Sequence, residues 1–175
     1  MIKKLSITDF DKMFPIMEDS FPPDERRPYD EQKALFENGY YNVYAEFEAD
    51  KVKGFIAVWN FTDFLYVEHF AVSKEYRNRG TGAKLISEVV KLYKKTLCLE
   101  VEPPEDELTR RRIGFYERNG FFLNEYPYIQ PPISAGKNPV PLMIMSSEKA
   151  LSEENFGKIK KVLYNEVYKC NENDY

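Results

Sequence analysis

The sequence predicts an α/β fold of the mixed α+β kind, with a largely antiparallel sheet of about six or seven strands flanked by helices. Aromatic and β-branched residues crowd segments 40–48, 52–60 and 64–72, and the short turn Ala49-Asp50-Lys51 separates the first two at hairpin length. The run from Glu68 to Leu85 then reads as a strand, a basic glycine-bearing turn and an amphipathic helix, and segment 96–101 returns as a buried-type strand. That is a strand-helix-strand crossover, so segments 64–72 and 96–101 are expected to be parallel neighbours.

The remaining elements follow in order. Residues 2–7 suit a short strand, and Thr8 or Asp9 caps a helix carrying Phe10, Met13, Phe14 and Met17 at helical spacing. The stretch from Phe21 to Pro28 holds too much proline for a helix or central strand and is a loop. A second helix is expected over 29–38, with Gly39 as its stop. Leu85, Ile86, Val89, Val90 and Tyr93 line one face of the helix after the glycine turn. Glu102-Pro103-Pro104 closes the returning strand, and a helix over 106–119 ends at Gly120. Strands at 121–128 and 140–146 flank the Pro/Gly-containing connection 130–139, and an amphipathic helix at 152–169 follows. Its Lys158-Ile159-Lys160-Lys161 run reads as a solvated face.

Bulk properties narrow the function. At 175 residues the chain suits one domain over 1–175, with a helical extension at about 149–170. Its 25 basic and 29 acidic residues give a formal charge of −4, which disfavours a nucleic-acid partner and leaves room for a locally basic ligand site. Cys98 and Cys170 stand at neither CxxC nor metal-ligand spacing, so no metal is expected. The first residues lack a signal-peptide pattern and no apolar run nears the roughly 20 residues that span a bilayer, so the reading is a cytoplasmic protein without a membrane partner.

The glycine turn is the first candidate site. Gly80 and Gly82 let the backbone bend and approach a ligand, the helix that follows offers unpaired N–H groups to an anion, and Arg77 and Arg79 add charge. The turn lacks Gly-Lys-Ser/Thr and a third glycine, so it is neither a Walker loop nor a dinucleotide fingerprint. Taken alone, it is equally compatible with a purely structural turn.

Two motifs together say more. Arg77-x-x-Gly80-x-Gly82, between a strand and a helix, and the later stretch from Arg112 to Phe121 with Phe115-Tyr116-Glu117-x-x-Gly120-Phe121 resemble the signatures of the GNAT superfamily of acyl-CoA-dependent N-acetyltransferases. The resemblance implies acetyl-CoA as cosubstrate and a fold in which the two parallel strands splay apart. Main-chain groups of Phe70, Ala71 and Val72 would pair with the pantetheine arm, and N–H groups of Arg77, Asn78, Arg79, Gly80, Thr81, Gly82 and Ala83 would take the pyrophosphate. Tyr116 matches the family's tyrosine at the coenzyme sulfur, a sensible acid for the departing thiolate. Thr109 stands where many relatives carry a coenzyme-contacting asparagine. Of Arg110, Arg111 and Arg112, at least two are read as solvated.

Glu68 is the preferred base for the acceptor amine, with Tyr66 orienting a water. Strand alternation puts both on one face and turns His69, the only histidine, to the other as a structural residue. Glu100 and Glu102 are alternative carboxylates, and either would suit a cationic acceptor. Cys98 lies between Leu97 and Leu99 and reads as a buried thiol, so direct attack in a ternary complex is preferred to an acyl-cysteine.

The resulting expectation is an N-acetyltransferase for a small primary amine, acting as a monomer or homodimer. Phe21, Glu100, Tyr126 and Tyr128 are candidate acceptor contacts, and the loops 21–28 and 130–139 are expected to wall the acceptor side. The alternatives are a protein lysine or N-terminal acetyltransferase and a non-catalytic acyl-CoA-binding module.

Overall fold

The computed structural model describes residues 2–171 and 173–175. Its elements are β1 (Lys3–Lys4), α1 (Phe10–Ser20), α2 (Tyr29–Ala34), β2 (Tyr41–Glu48), β3 (Lys51–Asn60), β4 (Phe64–Val72), α3 (Thr81–Tyr93), β5 (Thr96–Val101), α4 (Glu107–Arg118), β6 (Phe121–Gln130), β7 (Val140–Ser147) and α5 (Glu153–Val162). The strands form a mixed α/β sheet in the order β1-β2-β3-β4-β5-β7-β6, and the α3 crossover makes β4 and β5 its parallel pair. The residues up to Pro22 together with Pro28–Leu97 make one compact unit; Pro23–Arg27 with the residues from Cys98 onward make a second.

In the first unit β1 to β4 form an antiparallel meander. α1 buries Phe10, Met13, Phe14 and Met17, the four residues whose spacing predicts it, and α3 buries Leu85, Ile86 and Val89. Burying such side chains stabilises by about 1.5–3 kcal/mol each. Gly54 in β3 marks a close approach, since a Cβ there would meet the Ala71 carbonyl oxygen at 2.9 Å and Leu85 Cδ1 at 3.2 Å.

Two expected elements differ. The first strand shrinks to two residues, and a 3-10 turn at Ile7–Asp9 leads into α1. The second helix ends at Ala34 and tightens into a 3-10 turn over Leu35–Glu37, which sets the Phe36 ring edge-on to Phe10 at 5.5 Å; Gly39 falls beyond it, in the turn into β2.

In the second unit β7 pairs with β5 and with β6, both antiparallel. α4 opens on a reciprocal capping box between Asp106 and Thr109, and Gly120 beyond its C-terminus takes a left-handed φ of +84°. β6 continues two residues past its expected end, to Gln130. The final helix passes from α5 into a π-helical turn at Leu163–Val167, closed by bonds from the Tyr168 N–H to the Leu163 carbonyl and from the Cys170 N–H to that of Tyr164.

Candidate functional site

The glycine turn is left-handed at two positions. Asn78 (φ +60°) and Gly80 (φ +80°) are both left-handed, and Gly80 is the N-cap of α3, with no side chain bonded to the helix start. The amides of Thr81, Gly82 and Ala83 open a 13-residue helix with no acidic residue in its first turn. The first intrahelical bond to Gly80 comes from Lys84 N, 3.0 Å from its carbonyl. Such first-turn amides carry the positive end of the helix dipole. Of the glycine pair only Gly80 uses its conformational freedom, because Gly82 already lies in the helix.

The basic residues of the turn are held in place. Arg77 Nε donates to the Val72 carbonyl at 3.0 Å, tying the turn to the end of β4. The Arg79 guanidinium lies over the Tyr76 ring, 5.9 Å from its centroid, and the Tyr76 hydroxyl donates to Glu48 at 2.9 Å. Lys84 is drawn to Glu46 at 2.5 Å. Phe70, Ala71 and Val72 pair with Ile56, Phe55 and Gly54 of β3.

The strand before the turn contains a bulge that alternation could not anticipate. Val67 opposes Val58 and His69 opposes Ala57, so Glu68 is the extra residue of β4. Two consecutive residues then face one partner, and the expectation that His69 points away from Glu68 is corrected. His69 Nδ1 lies 3.3 Å from Glu68 Oε2, with both side chains only 1% exposed. The Phe21 ring packs edge-on against the imidazole at 4.7 Å. Tyr66, opposite Trp59, is fully buried.

Tyr116 projects from α4 into an aromatic setting, with Phe115 and Phe121 edge-on at 5.3 and 5.7 Å. Burial pushes its phenol up to about 12, against a smaller downward pull from the Arg112 charge. It therefore stays protonated at neutral pH. Arg112 is ion-paired with Glu102, and Arg110 donates to the carbonyls of Pro104 and Glu105. Thr109 is engaged in the helix start: its N–H donates to Asp106 Oδ1 at 2.7 Å, while its Oγ1 accepts from Asp106 N at 3.1 Å.

Glu100, near the end of β5, is the centre of a phenolic cluster. Tyr128 of β6 donates its hydroxyl to Oε1, and the Tyr168 hydroxyl lies 2.9 and 2.8 Å from the two carboxylate oxygens. Burial, joined by the Glu100 charge, holds the Tyr128 phenol well above its usual range. Tyr164 donates to the Ile129 carbonyl at 2.6 Å and burial raises its phenol to about 12. Tyr126 packs on Phe156 at 4.8 Å and donates to the Leu151 carbonyl at 3.2 Å, so its polar tip serves the approach to α5.

The two loops expected to wall the acceptor side are bonded to each other. Asp24 accepts from the Asn138 backbone and side-chain nitrogens, both at 3.1 Å, and the Asp24 carbonyl accepts from Gln130 at 3.4 Å. Cys98 is fully buried and its thiol is pushed up to about 12 by burial. Among the described residues no group of three or more His, Cys, Asp or Glu is placed to hold a metal, and no helix is long and apolar enough to cross a membrane.

Sequence reasoning missed Tyr164 and Tyr168. Their i,i+4 spacing on an amphipathic segment was the available signal, and it reads equally well as helix packing. Glu68 and His69 were found individually; their adjacency depends on a one-residue bulge in the pairing of β3 with β4.

The strand order, with β4 and β5 parallel, is that of an acetyltransferase-type α/β fold. Residues 10–121 match the Acetyltransferase (GNAT) family, and the chain belongs to it. A GNAT-family protein from Bacteroides thetaiotaomicron is 32% identical, with a TM-score of 0.89 over 98% of this chain and 99% of that one. The Bacillus subtilis (strain 168) protein YjbC is 31% identical over 111 residues, 62% of this chain but only 57% of that protein's own length. The ribosomal-protein-S18-alanine N-acetyltransferase of Escherichia coli shares the fold at 20% identity, with a TM-score of 0.66 over 89% of this chain and 97% of that one.

Proposed function

We propose that the protein is an N-acetyltransferase that moves an acetyl group from acetyl-CoA to a small cationic primary amine by direct attack. The observation that carries this reading is the α3 N-terminus, whose uncapped amides follow a left-handed Gly80 at the end of the turn that joins β4 to α3. Those amides fit a pyrophosphate: they supply donors and positive potential, and neither a capping side chain nor a first-turn carboxylate competes. Thr81, Gly82 and Ala83, with Arg77, Asn78 and Arg79, are the residues that would hold it, and main-chain groups of Phe70, Ala71 and Val72 would hold the pantetheine arm. When bound, acetyl-CoA supplies the activated acetyl thioester.

The remaining roles belong to side chains. Glu68 takes a proton from the acceptor nitrogen, with Tyr66 beside it on β4. The nitrogen lone pair forms the new N–C bond as the C–S bond breaks with its electron pair on sulfur. Tyr116 gives that sulfur its proton, a role that suits a phenol kept protonated by burial. Thr109 remains a candidate coenzyme contact, although its hydroxyl already serves the helix cap.

A carboxylate set among phenols favours the cationic acceptor. Tyr128 and Tyr168 both donate to Glu100, and a carboxylate beside aromatic rings suits an alkylammonium group. The test is release of free thiol from acetyl-CoA over a panel of diamines, monoamines, acidic amines and lysine-bearing peptides. Turnover ranking diamines first supports the reading, and a preference for peptides overturns the substrate class.

A further inference from the structure

We infer that His69 is a positioning residue for Glu68 and the second stop for the acceptor's proton, so that the two side chains work as one base. This rests on the reading of Glu68 as base.

In a regular strand consecutive side chains face opposite ways, and a structural histidine at 69 would lie across the sheet from Glu68. The extra residue in β4 instead brings His69 Nδ1 to 3.3 Å from Glu68 Oε2. Bulges re-aim side chains and recur beside active sites. The Phe21 ring against the imidazole at 4.7 Å and the 1% exposure of both side chains fix the pair and keep bulk water away.

Proton bookkeeping explains what a second group adds. The acceptor N–H bond breaks and the Glu68 carboxylate takes the proton. The proton then passes from Glu68 to Nδ1, leaving a carboxylate beside an imidazolium. Taking the acceptor's proton brings the buried pair from one net negative charge to none, which relieves the cost of a lone buried charge; the second transfer leaves the net charge at zero and turns the pair into an adjacent carboxylate and imidazolium. The attacking nitrogen keeps its lone pair for the thioester carbon, and the sulfur takes its proton separately from Tyr116.

A double-mutant cycle tests this. Glu68→Gln, His69→Gln and the double variant are compared for kcat at saturating acetyl-CoA and amine, for the amine KM, and for acetyl-CoA binding by thermal shift. The expected result is a fall in kcat of about 10²-fold or more in each single variant, a double variant no slower than the worse single, and little change in KM or acetyl-CoA binding. Losses that multiply in the double variant, or a His69→Gln enzyme within about threefold of wild type, would overturn it. If Glu68→Gln turns over normally, the base assignment fails first, and with it the pairing. Should His69→Gln not fold, His69→Asn serves the same cycle and is judged by the same criteria.

Discussion

The hydroxyl of Tyr168, just past the π-helical turn, lies 2.8 Å from Oε2 and 2.9 Å from Oε1 of Glu100. A residue late in the chain thereby sets the orientation of a carboxylate near the end of β5, with Tyr128 donating to the same group. Hydrogen bonds to charged groups contribute about 1.5–3 kcal/mol.

Tyr168→Phe therefore lowers stability by about 1.5 kcal/mol and raises KM for a cationic amine roughly tenfold, with a smaller effect on kcat. Denaturant unfolding and steady-state kinetics with a diamine check both numbers. An unchanged KM together with the expected loss of stability would limit this cluster to packing.

Gly80 is expected to tolerate no ordinary side chain at its φ of +80°, although a Cβ there meets nothing within 4 Å. The strain is in the backbone alone. Gly80→Ala should cost about 1–2 kcal/mol and raise the Kd for acetyl-CoA, while Gly80→Asn, which accepts left-handed backbone more readily, should lie between. Equal coenzyme affinity in all three proteins would contradict the anion site.

The Tyr116 phenol, raised to about 12 by burial, predicts a pH window. Its folded value lies above the ordinary value near 10, so folding favours the protonated form. That contribution is complete below about pH 10 and is lost as pH rises from there through about 12. Tm should hold steady from about pH 7 to 9.5 and fall above about 10, with a shallower fall in Tyr116→Phe. The same variant should lower kcat by about 10²-fold or more at pH 8, because its ring lacks the proton the sulfur needs. Parallel pH profiles of Tm for the two proteins would contradict the buried phenol.

Thr109 gives a separation of roles. Thr109→Ala removes the oxygen that accepts from Asp106 N and should cost about 1 kcal/mol, whereas Thr109→Ser keeps the box and most of the stability. Titration of acetyl-CoA into both distinguishes cap from coenzyme contact. If only the cap matters, all three proteins bind acetyl-CoA alike.

Elements with one dominant signal were legible in the sequence. β4 and β5 begin and end where their apolar runs do, and α1 buries Phe10, Met13, Phe14 and Met17 as their spacing requires. The glycine turn was legible as a shape, though not which residues bend: Asn78 shares the left-handed backbone with Gly80, while Gly82 is helical. The Glu68–His69 contact was hidden because pairing register, rather than local pattern, decides where a bulge falls. Tyr168 and Glu100 were hidden from each other for a related reason, since distant segments meet only after folding.

Acetyl transfer to a small cationic amine is read out by the rate of free-thiol release from acetyl-CoA by the purified chain, with and without a short diamine, together with the mass of the amine product. Amine-dependent thiol release and an N-acetylated diamine carrying one acetyl group are expected, both suppressed in Tyr116→Phe. Thiol release that does not depend on any amine, or none at all under saturating acetyl-CoA, would contradict it.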